Sequence, residues 1–485
     1  MEILNKINRV RIRTLTILLM IIFLLTFLTR CKKESVNKWE DSNVFQDSYG
    51  RTIILHGASL YTNDDPNGYH RYNTNSAKRL INSWGLNSVR MFWSWHAIEP
   101  DSGQFDAAKL DSIVKVVETF TNEGVYVVLA VNGTGTSGQD QLDNTWQAPY
   151  GNARNIPQLP GNVNPARQEA TRRFWDYKHY PYLQNEFIKA SKYLAARLKN
   201  NPYVLGYDIL NEPWGDTFIG HVLNINLETE LLPPFYERYI KSMREIEPDK
   251  YIYFEPSVGY NSGVISKFET KLPIINDTRN GTKRLSFAPH CYEATDLGFG
   301  VINLIGNNYD GYMADLKNKY TKIQQKKQVP IFVGEWASIN YSTLPNWETF
   351  LNKYFEAFDQ INTSWSYFSY IPGGDNGNNL VESDDITENP PVNLITRAYP
   401  RATSGKLNQF SFDPASKIFK MSFTSHTLIT KPTEIFIPKR HFPIGYNIDV
   451  QGITNYTQTY DDIHQVVLFT ANENLKDITI IITPK

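Results

Sequence analysis

Short apolar runs recur along the chain between residues 52 and 368, and a longer, more polar segment follows each of them. Such runs, bounded by glycine or proline, are typical of parallel strands that are buried on both faces. The polar segments between them, such as 181–200 and 310–327, predict helices that cover the sheet. We assign the strands to residues 52–56, 86–90, 125–131, 204–210, 251–255, 285–288, 331–334 and 364–368. Strands alternating with helices in this number predict an α/β fold, the (β/α)8 barrel.

Beyond residues 389–391 the pattern changes to short runs in which apolar and polar residues alternate. Alternation with a period of two is typical of antiparallel strands that have one buried face. These runs occupy residues 410–412, 418–423, 434–437, 446–450, 466–469 and 478–482. Their spacing predicts an antiparallel β-sandwich. We therefore expect a barrel over residues 47–395 and a C-terminal sandwich over residues 396–485.

At the N-terminus, four basic residues precede an apolar stretch at residues 15–28, which is shorter than a membrane span and has the length of a signal-peptide core. Cys31 follows, and the pattern resembles a bacterial lipoprotein signal, although Arg30 stands where a small residue is usual. We expect residues 1–30 to be the signal peptide, Cys31 to carry the lipid and residues 31–46 to form a tether. The protein then lies in the cell envelope, on the outer membrane or the cell surface. A secreted protein cut elsewhere and an uncleaved anchor helix are the alternatives.

Composition agrees with a folded protein of two domains. A chain of 485 residues exceeds what one hydrophobic core usually serves. Aromatic residues make up 13% of it, which excludes a disordered chain and suits sugar binding. The net charge of −1 gives no indication of a nucleic-acid partner. The two cysteines are Cys31 and Cys291, so a lipid on the first leaves no internal disulfide and makes Cys291 a buried free thiol.

Two glutamates stand at the carboxyl ends of predicted strands. Glu212 follows the fourth run within Asn211-Glu212-Pro213, and Glu335 follows the seventh run, 123 residues further along the chain. Paired carboxylates in one cleft are what glycoside hydrolysis requires, and we expect Glu212 to be the acid/base and Glu335 the nucleophile. A separation of about 5 to 5.5 Å between them would give retention of configuration. Asn211, beside Glu212, is expected to hydrogen-bond the sugar 2-hydroxyl.

Four motifs together resemble glycoside hydrolase family 5, a retaining family of clan A. They are Asn211-Glu212-Pro213, Gly334-Glu335-Trp336, Asn87-Ser88-Val89-Arg90 and His290-Cys291-Tyr292. The resemblance implies that Arg90 orients the nucleophile Glu335 and that Tyr292 hydrogen-bonds it. It also implies that His290 lines the sugar subsite.

Within that family the chain is most similar to the endoglycoceramidases, on residues 253–256, 397–402 and much of the C-terminal domain. These enzymes cut the bond between an oligosaccharide and ceramide, so the resemblance implies a retaining β-glycosidase that acts on a glycolipid. The alternatives are a β-glucosidase acting on glucosylceramide or a steryl glucoside, an endoglucanase-like enzyme acting on a polysaccharide, and a non-catalytic glycan-binding lipoprotein. No metal-ligand cluster or phosphate-binding loop is present in the sequence, so neither a metal nor a cofactor is expected. We expect a monomer whose partners are its glycolipid or oligosaccharide substrate and, through the lipid anchor, the membrane surface.

Two positions depart from the family's pattern. Asn132 stands where the third strand normally carries a histidine, and Phe368 stands where the eighth strand normally carries a tryptophan, with Trp365 three residues earlier. We expect these three residues to contact the sugar, so the departures bear on the identity of the sugar more than on the chemistry. Glu255, at the end of the fifth strand, is expected to have a structural or subsite role. An apolar segment at residues 297–305 is expected to contact acyl chains or the membrane surface, or to form an amphipathic helix on the barrel.

Overall fold

The computed structural model describes residues 39–61, 72–131, 165–213, 215, 226–261, 270–292, 309–337, 346–374 and 378–485. The predictions made for Cys31, Asn132 and the apolar segment 297–305 fall outside these residues. Residues 41–485 form one unit by their contacts.

The described residues contain eighteen β-strands and ten α-helices. The strands are β1 (Phe45–Gln46), β2 (Thr52–Ile53), β3 (His56–Tyr61), β4 (Ser88–Trp93), β5 (Tyr126–Val131), β6 (Val204–Asp208), β7 (Tyr251–Phe254), β8 (Leu285–Phe287), β9 (Phe332–Trp336), β10 (Ser364–Tyr367), β11 (Tyr399–Thr403), β12 (Gly405–Phe412), β13 (Phe419–Ser425), β14 (Thr433–Phe436), β15 (Tyr446–Gln451), β16 (Tyr456–Asp461), β17 (Val466–Ala471) and β18 (Asp477–Pro484). The helices are Thr74–Lys78, Trp95–Ile98, Ala107–Thr121, Pro165–Trp175, Pro181–Leu198, Leu232–Arg244, Val258–Asn261, Tyr309–Lys327, Trp347–Gln360 and Pro391–Ile395, with π-helical turns at Arg79–Ser83 and Leu227–Leu231.

Strands β3 to β10 form one parallel sheet in the order β8-β7-β6-β5-β4-β3-β10-β9. Two further parallel bridges, Phe287 to Ile331 and Cys291 to Trp336, join the end of β8 to β9. These bridges close the sheet on itself, so the predicted (β/α)8 barrel is confirmed. The carboxyl ends of all eight strands consequently lie at one face, where such barrels carry their sites.

The helix Ala107–Thr121 shows why the polar segments become helical. Its N-cap residue Asp106 accepts a hydrogen bond from a backbone amide of the first turn. Leu110, Ile113 and Val117 recur at three- and four-residue spacing, and all three are buried against the barrel. Across the described parts of the chain, none of the helices combines the length and the apolar character that a membrane crossing requires.

The predicted first strand at residues 52–56 is wrong. The barrel strand begins at His56, and the residues before it turn away to form β2, which pairs antiparallel with β11 of the C-terminal domain. An apolar run is buried in either sheet, so its hydrophobic pattern does not reveal which sheet it joins. The stretch expected to open the barrel therefore contributes β2 to the C-terminal sheet, and β1 comes from the end of the segment expected to be a tether.

The C-terminal domain consists of two antiparallel sheets that enclose their own apolar core. One sheet has the order β1-β2-β11-β14-β17-β16, and the other has the order β12-β13-β18-β15. The predicted sandwich is thus confirmed, and each of the six expected runs forms a strand. Within residues 396–485, two strands were missed. β16 is polar and largely exposed, and β11 contains a proline, so neither shows a clear alternating pattern.

The sandwich packs against the amino ends of the barrel strands. His56, the first residue of β3, lies between the rings of Trp365 and Tyr399, with centroid distances of 4.4 and 3.8 Å. The Tyr399 hydroxyl donates a hydrogen bond to the Gly85 carbonyl oxygen at 2.6 Å. Because this contact lies at the amino ends of the strands, it does not cover their carboxyl ends.

Candidate active site

Arg90 lies on β4 and is fully buried. Its guanidinium donates through Nε to Asp208 Oδ2 at 2.9 Å and through Nη2 to Glu255 Oε1 at 2.8 Å. Nη2 also donates to Asn211 Oδ1 at 2.9 Å, and Nη1 donates to Glu335 Oε1 at 2.8 Å. Burial by itself would lower the pKa of Arg90, but the three carboxylates raise it above its usual value, so the side chain stays charged. One cation therefore connects groups from β4, β6, β7 and β9.

Glu335 lies on β9, and only 6% of its surface is exposed. Arg90 holds its Oε1 atom, and the Tyr292 hydroxyl donates to its Oε2 atom at 2.9 Å. Each carboxylate oxygen thus has its own donor from a different strand end. Two donors on different oxygens fix the plane of the carboxylate.

Glu212 follows β6 in an unusual backbone conformation, with φ of +45°. Residues other than glycine rarely adopt this left-handed region, because the side chain then crowds the backbone. The Glu212 amide donates to Glu255 Oε2 at 2.9 Å, and its Oε1 atom lies 2.9 Å from His290 Nδ1. The Glu212 side chain is 21% exposed, so it is reachable from the open face of the barrel.

The two glutamates predicted from the sequence face each other. A carboxylate oxygen of Glu212 lies within 4.8 Å of one of Glu335. Retaining glycosidases hold their carboxyl groups about 5 to 5.5 Å apart, whereas inverting enzymes leave about 6.5 to 9.5 Å for a water molecule. The observed separation corresponds to the retaining geometry.

His290 lies between the carboxylates and is fully buried. In addition to its contact with Glu212, its Nδ1 atom lies 3.6 Å from Glu335 Oε2, and its Nε2 atom lies 3.2 Å from Glu255 Oε1. Burial would lower the pKa of His290, but the charges of Glu255 and Glu335 and the hydrogen bond to Glu212 raise it well above its usual value. This raised pKa favours the protonated ring, whose two N–H groups would face carboxylates on both sides.

Glu212, His290 and Glu335 are also the described residues that come closest to a metal site, because their ligand atoms all lie within 4.8 Å of one another. A metal-binding imidazole must be neutral and must point a lone pair at the ion. Both ring nitrogens of His290 instead face carboxylates, with Nδ1 2.9 Å from Glu212 Oε1 and Nε2 3.2 Å from Glu255 Oε1. The cluster thus fits a hydrogen-bonded acid pair better than a metal centre.

The structure brings some of the other predicted residues to the site. The side-chain oxygen Oδ1 of Asn211 accepts a hydrogen bond from Arg90, so a sugar hydroxyl would meet the side-chain NH2 group of Asn211. Phe368 follows β10 directly and is half-buried, and its amide donates to the Trp336 carbonyl oxygen at 2.9 Å. Tyr292 is likewise half-buried, beside Glu335.

Trp365 is not brought to the site. Its side chain is fully buried near the amino end of β10, where its ring contacts those of His56, Trp336 and Phe355 at 4.4, 5.4 and 5.5 Å between centroids. The expected sugar contact is replaced by packing against the sandwich, because the residue lies at the opposite end of the strand from the glutamates. Asn132 falls outside the described residues.

Asp208 is a component of the site that the sequence interpretation missed. It is fully buried, and Arg90 is its hydrogen-bonding partner through Nε. Burial raises the pKa of Asp208 to about 7, although Arg90 acts in the opposite direction. The available signal was an acidic residue inside the apolar run 204–210, since a buried carboxylate needs a positive or hydrogen-bonding partner.

Two family models match the chain. The first, Cellulase (glycosyl hydrolase family 5), covers residues 47–374, and the second, the glycoside hydrolase family 5 C-terminal domain, covers residues 397–482. The first match alone spans more than half of the chain. The chain belongs to glycosyl hydrolase family 5, a family of retaining enzymes, and it is an O-glycosyl hydrolase.

Individual relatives refine this classification. Endoglycoceramidase I of Rhodococcus hoagii (strain 103S) is 26% identical over 440 residues, which cover 85% of this chain and 82% of the relative. An endoglycoceramidase of Hydra vulgaris is 21% identical, with 96% of each chain covered. These matches confirm the similarity to endoglycoceramidases that was inferred from the sequence.

Solved structures agree on the fold. Endo-glycoceramidase II from Rhodococcus sp. superposes with a TM-score of 0.77 at 24% identity, covering 92% of this chain and 100% of the other. That protein has been solved as a lactosyl-enzyme intermediate and with ganglioside GM3. A sterylglucosidase of Cryptococcus neoformans superposes with a TM-score of 0.69 at 13% identity, covering 92% and 96% of the two chains.

Proposed function

We propose that this protein is a retaining β-glycosidase that hydrolyses the bond between a glycan and ceramide and releases the intact oligosaccharide. The observation that carries the proposal is the facing pair Glu212 and Glu335, within 4.8 Å of each other at the carboxyl face of the barrel. Similarity to endoglycoceramidases over most of the chain supports the choice of substrate.

The proposed reaction proceeds in two displacements. Glu335 attacks the anomeric carbon while protonated Glu212 gives its proton to the glycosidic oxygen, so the ceramide leaves as a neutral alcohol and a glycosyl-enzyme ester forms. Glu212, now a carboxylate, then removes a proton from water as the water attacks the same carbon and Glu335 leaves. Arg90 and Tyr292 hold the nucleophile in both steps, because each donates to one of its oxygens.

The sugar subsite is the second part of the proposal. The Asn211 amide NH2 group would donate to the 2-hydroxyl, and the Phe368 ring would stack on the sugar, since it lies directly after β10. Asn132, predicted to replace a histidine, would supply an amide to the same sugar. These residues would set the identity of the transferred sugar.

Product analysis of a mixed glycosphingolipid panel by mass spectrometry tests the proposal, with Glu335→Gln as the inactive control. Intact oligosaccharide and free ceramide, absent with the variant, would support it. Release of single sugars alone would instead indicate a β-glucosidase of monoglycosyl lipids, the alternative that the sequence left open. No cleavage of any glycolipid would refute the proposal.

A location at the membrane surface belongs to the same proposal, because it would place the enzyme beside a lipid-linked substrate. The basic residues and apolar stretch before Cys31 support acylation of that cysteine. Expression in a bacterium with an alkyne-tagged fatty acid tests it. Label on the wild type and its loss in Cys31→Ala would agree with acylation, whereas equal labelling of both would contradict it.

A further inference from the structure

Glu255 is a fully buried carboxylate that neither attacks nor protonates the substrate in the proposed mechanism. It follows β7 and has different partners on its two oxygens. Oε1 accepts from Arg90 Nη2 at 2.8 Å and lies 3.2 Å from His290 Nε2. Oε2 accepts from the backbone amide of Glu212 at 2.9 Å. Glu255 therefore contacts the backbone of the proposed acid/base and the ring that contacts its side chain.

The hydrogen bond from the Glu212 amide to Glu255 helps to hold Glu212 in an unfavourable backbone conformation. Glu212 has φ of +45°, which a residue with a side chain adopts only when its surroundings hold it there. The amide of Glu212 points at a buried, charged acceptor, and hydrogen bonds to charged acceptors are the stronger kind. Without this acceptor the amide would lack its partner, and the Glu212 side chain would lose its fixed direction.

The ring contact determines what His290 can do. Three carboxylates face the ring. Glu255 is next to Nε2, and Glu212 and Glu335 are next to Nδ1. Gly334 on β9 makes this approach possible, because a Cβ atom there would lie 3.1 Å from His290 Nε2 and 3.4 Å from Arg90 Nε. With Glu255 Oε1 facing Nε2 on one side, His290 can hold a proton on Nδ1 for the Glu212 side chain on the other.

We propose that Glu255 is a positioning residue for the acid/base: it holds the backbone of Glu212 and keeps His290 as a hydrogen-bond donor to the Glu212 carboxylate. The inference rests on the proposed role of Glu212. When Glu212 has given its proton to the leaving oxygen, the His290 N–H stabilises the carboxylate that remains until water returns a proton. Glu255 thus supports protonation of the leaving group rather than nucleophilic attack.

Leaving-group dependence tests this distinction with aryl β-lactosides and the variant Glu255→Gln. A 2,4-dinitrophenyl group leaves without protonation, whereas a phenyl group needs the acid. We expect kcat/KM of Glu255→Gln to fall by about 100-fold or more for the phenyl lactoside and by less than about 5-fold for the dinitrophenyl lactoside. Asp208→Asn is the matched control, because Asp208 is another buried acidic partner of the Arg90 guanidinium. This variant should lower kcat/KM for both substrates alike. Equal losses for Glu255→Gln on both substrates would overturn the proposal.

A measurement without substrate separates this inference from the proposed function. In 15N-histidine NMR spectra, with His290→Gln for assignment, wild-type His290 should carry protons on both ring nitrogens at neutral pH and should be neutral in Glu255→Gln. An unchanged imidazolium would overturn the proposal even if the enzyme cleaves no lactoside. If thermal melting shows that Glu255→Gln does not fold, Glu255→Asp replaces it as the test of the proposal. This variant keeps a carboxylate at the position but shortens its reach to the Glu212 amide. It should then retain the imidazolium and still lose activity selectively on the phenyl lactoside.

Discussion

Replacing Tyr292 with phenylalanine removes one of the two direct donors to Glu335. The Tyr292 hydroxyl lies 2.9 Å from Oε2, and among the described residues His290 Nδ1 also approaches that oxygen, at 3.6 Å. A hydrogen bond to a charged group contributes about 1.5 to 3 kcal/mol. Because each factor of ten in rate corresponds to about 1.4 kcal/mol, we expect kcat/KM to fall by about 10- to 150-fold.

The assay is cleavage of the dinitrophenyl lactoside, which depends on the nucleophile and not on the acid. Tyr312→Phe provides a matched control. Its hydroxyl lies 3.2 Å from the Tyr354 hydroxyl and 3.8 Å from the Cys291 thiol, so the activity of this variant should remain close to that of the wild type. Activity of Tyr292→Phe within about threefold of the wild type would show that the Tyr292 hydroxyl does not position the nucleophile.

Three further changes have defined outcomes. Burial raises the pKa of Glu247 from 4.5 to about 7, so the native state binds this proton more tightly than the unfolded chain. The stability that the proton contributes is therefore lost as the pH rises from 4.5 through 7. Glu247→Gln should flatten the dependence of the melting temperature on pH in this range, and an unchanged slope would contradict the reasoning. Arg90→Met leaves buried carboxylates without their cation and should cost about 3 to 5 kcal/mol in urea unfolding, whereas a loss below about 1 kcal/mol would disprove the predicted coupling. If the apolar segment 297–305 contacts acyl chains, Phe299→Ser with Ile302→Ser should raise KM for a glycolipid and leave a soluble aryl glycoside unaffected, and equal effects on both would refute that contact.

The sequence predicted the positions of Glu212 and Glu335 well because both follow apolar runs, and parallel strands end at a common face. It placed Arg90 near the nucleophile only through the resemblance, since nothing local to β4 indicates which carboxylates it meets. Glu255 and Asp208 share that cation through contacts between strands that are far apart in the chain. Such contacts are tertiary, and hydrophobic periodicity carries no information about them.

The error at residues 52–56 and the misplacement of Trp365 have a related cause. Apolar character reports burial but not the partner that provides it. The run before His56 pairs with β11, and the Trp365 ring packs on that of His56. Both lie where the barrel meets the sandwich, and the sequence indicated two domains without indicating the surface they share.

The pairing of β2 with β11 has a consequence for the order of folding. Thr52 Oγ1 donates a hydrogen bond to the Gly405 carbonyl oxygen across 353 residues of chain, so the β1-β2 segment that precedes the barrel joins a sheet formed by the segment that follows the barrel. Contacts between such distant residues form late, because a long loop must close first. During synthesis the first strands leave the ribosome long before β11 exists. Until then the edge of β2 that faces β11 remains unpaired, and a chain that ends before residue 399 would leave that edge unpaired permanently.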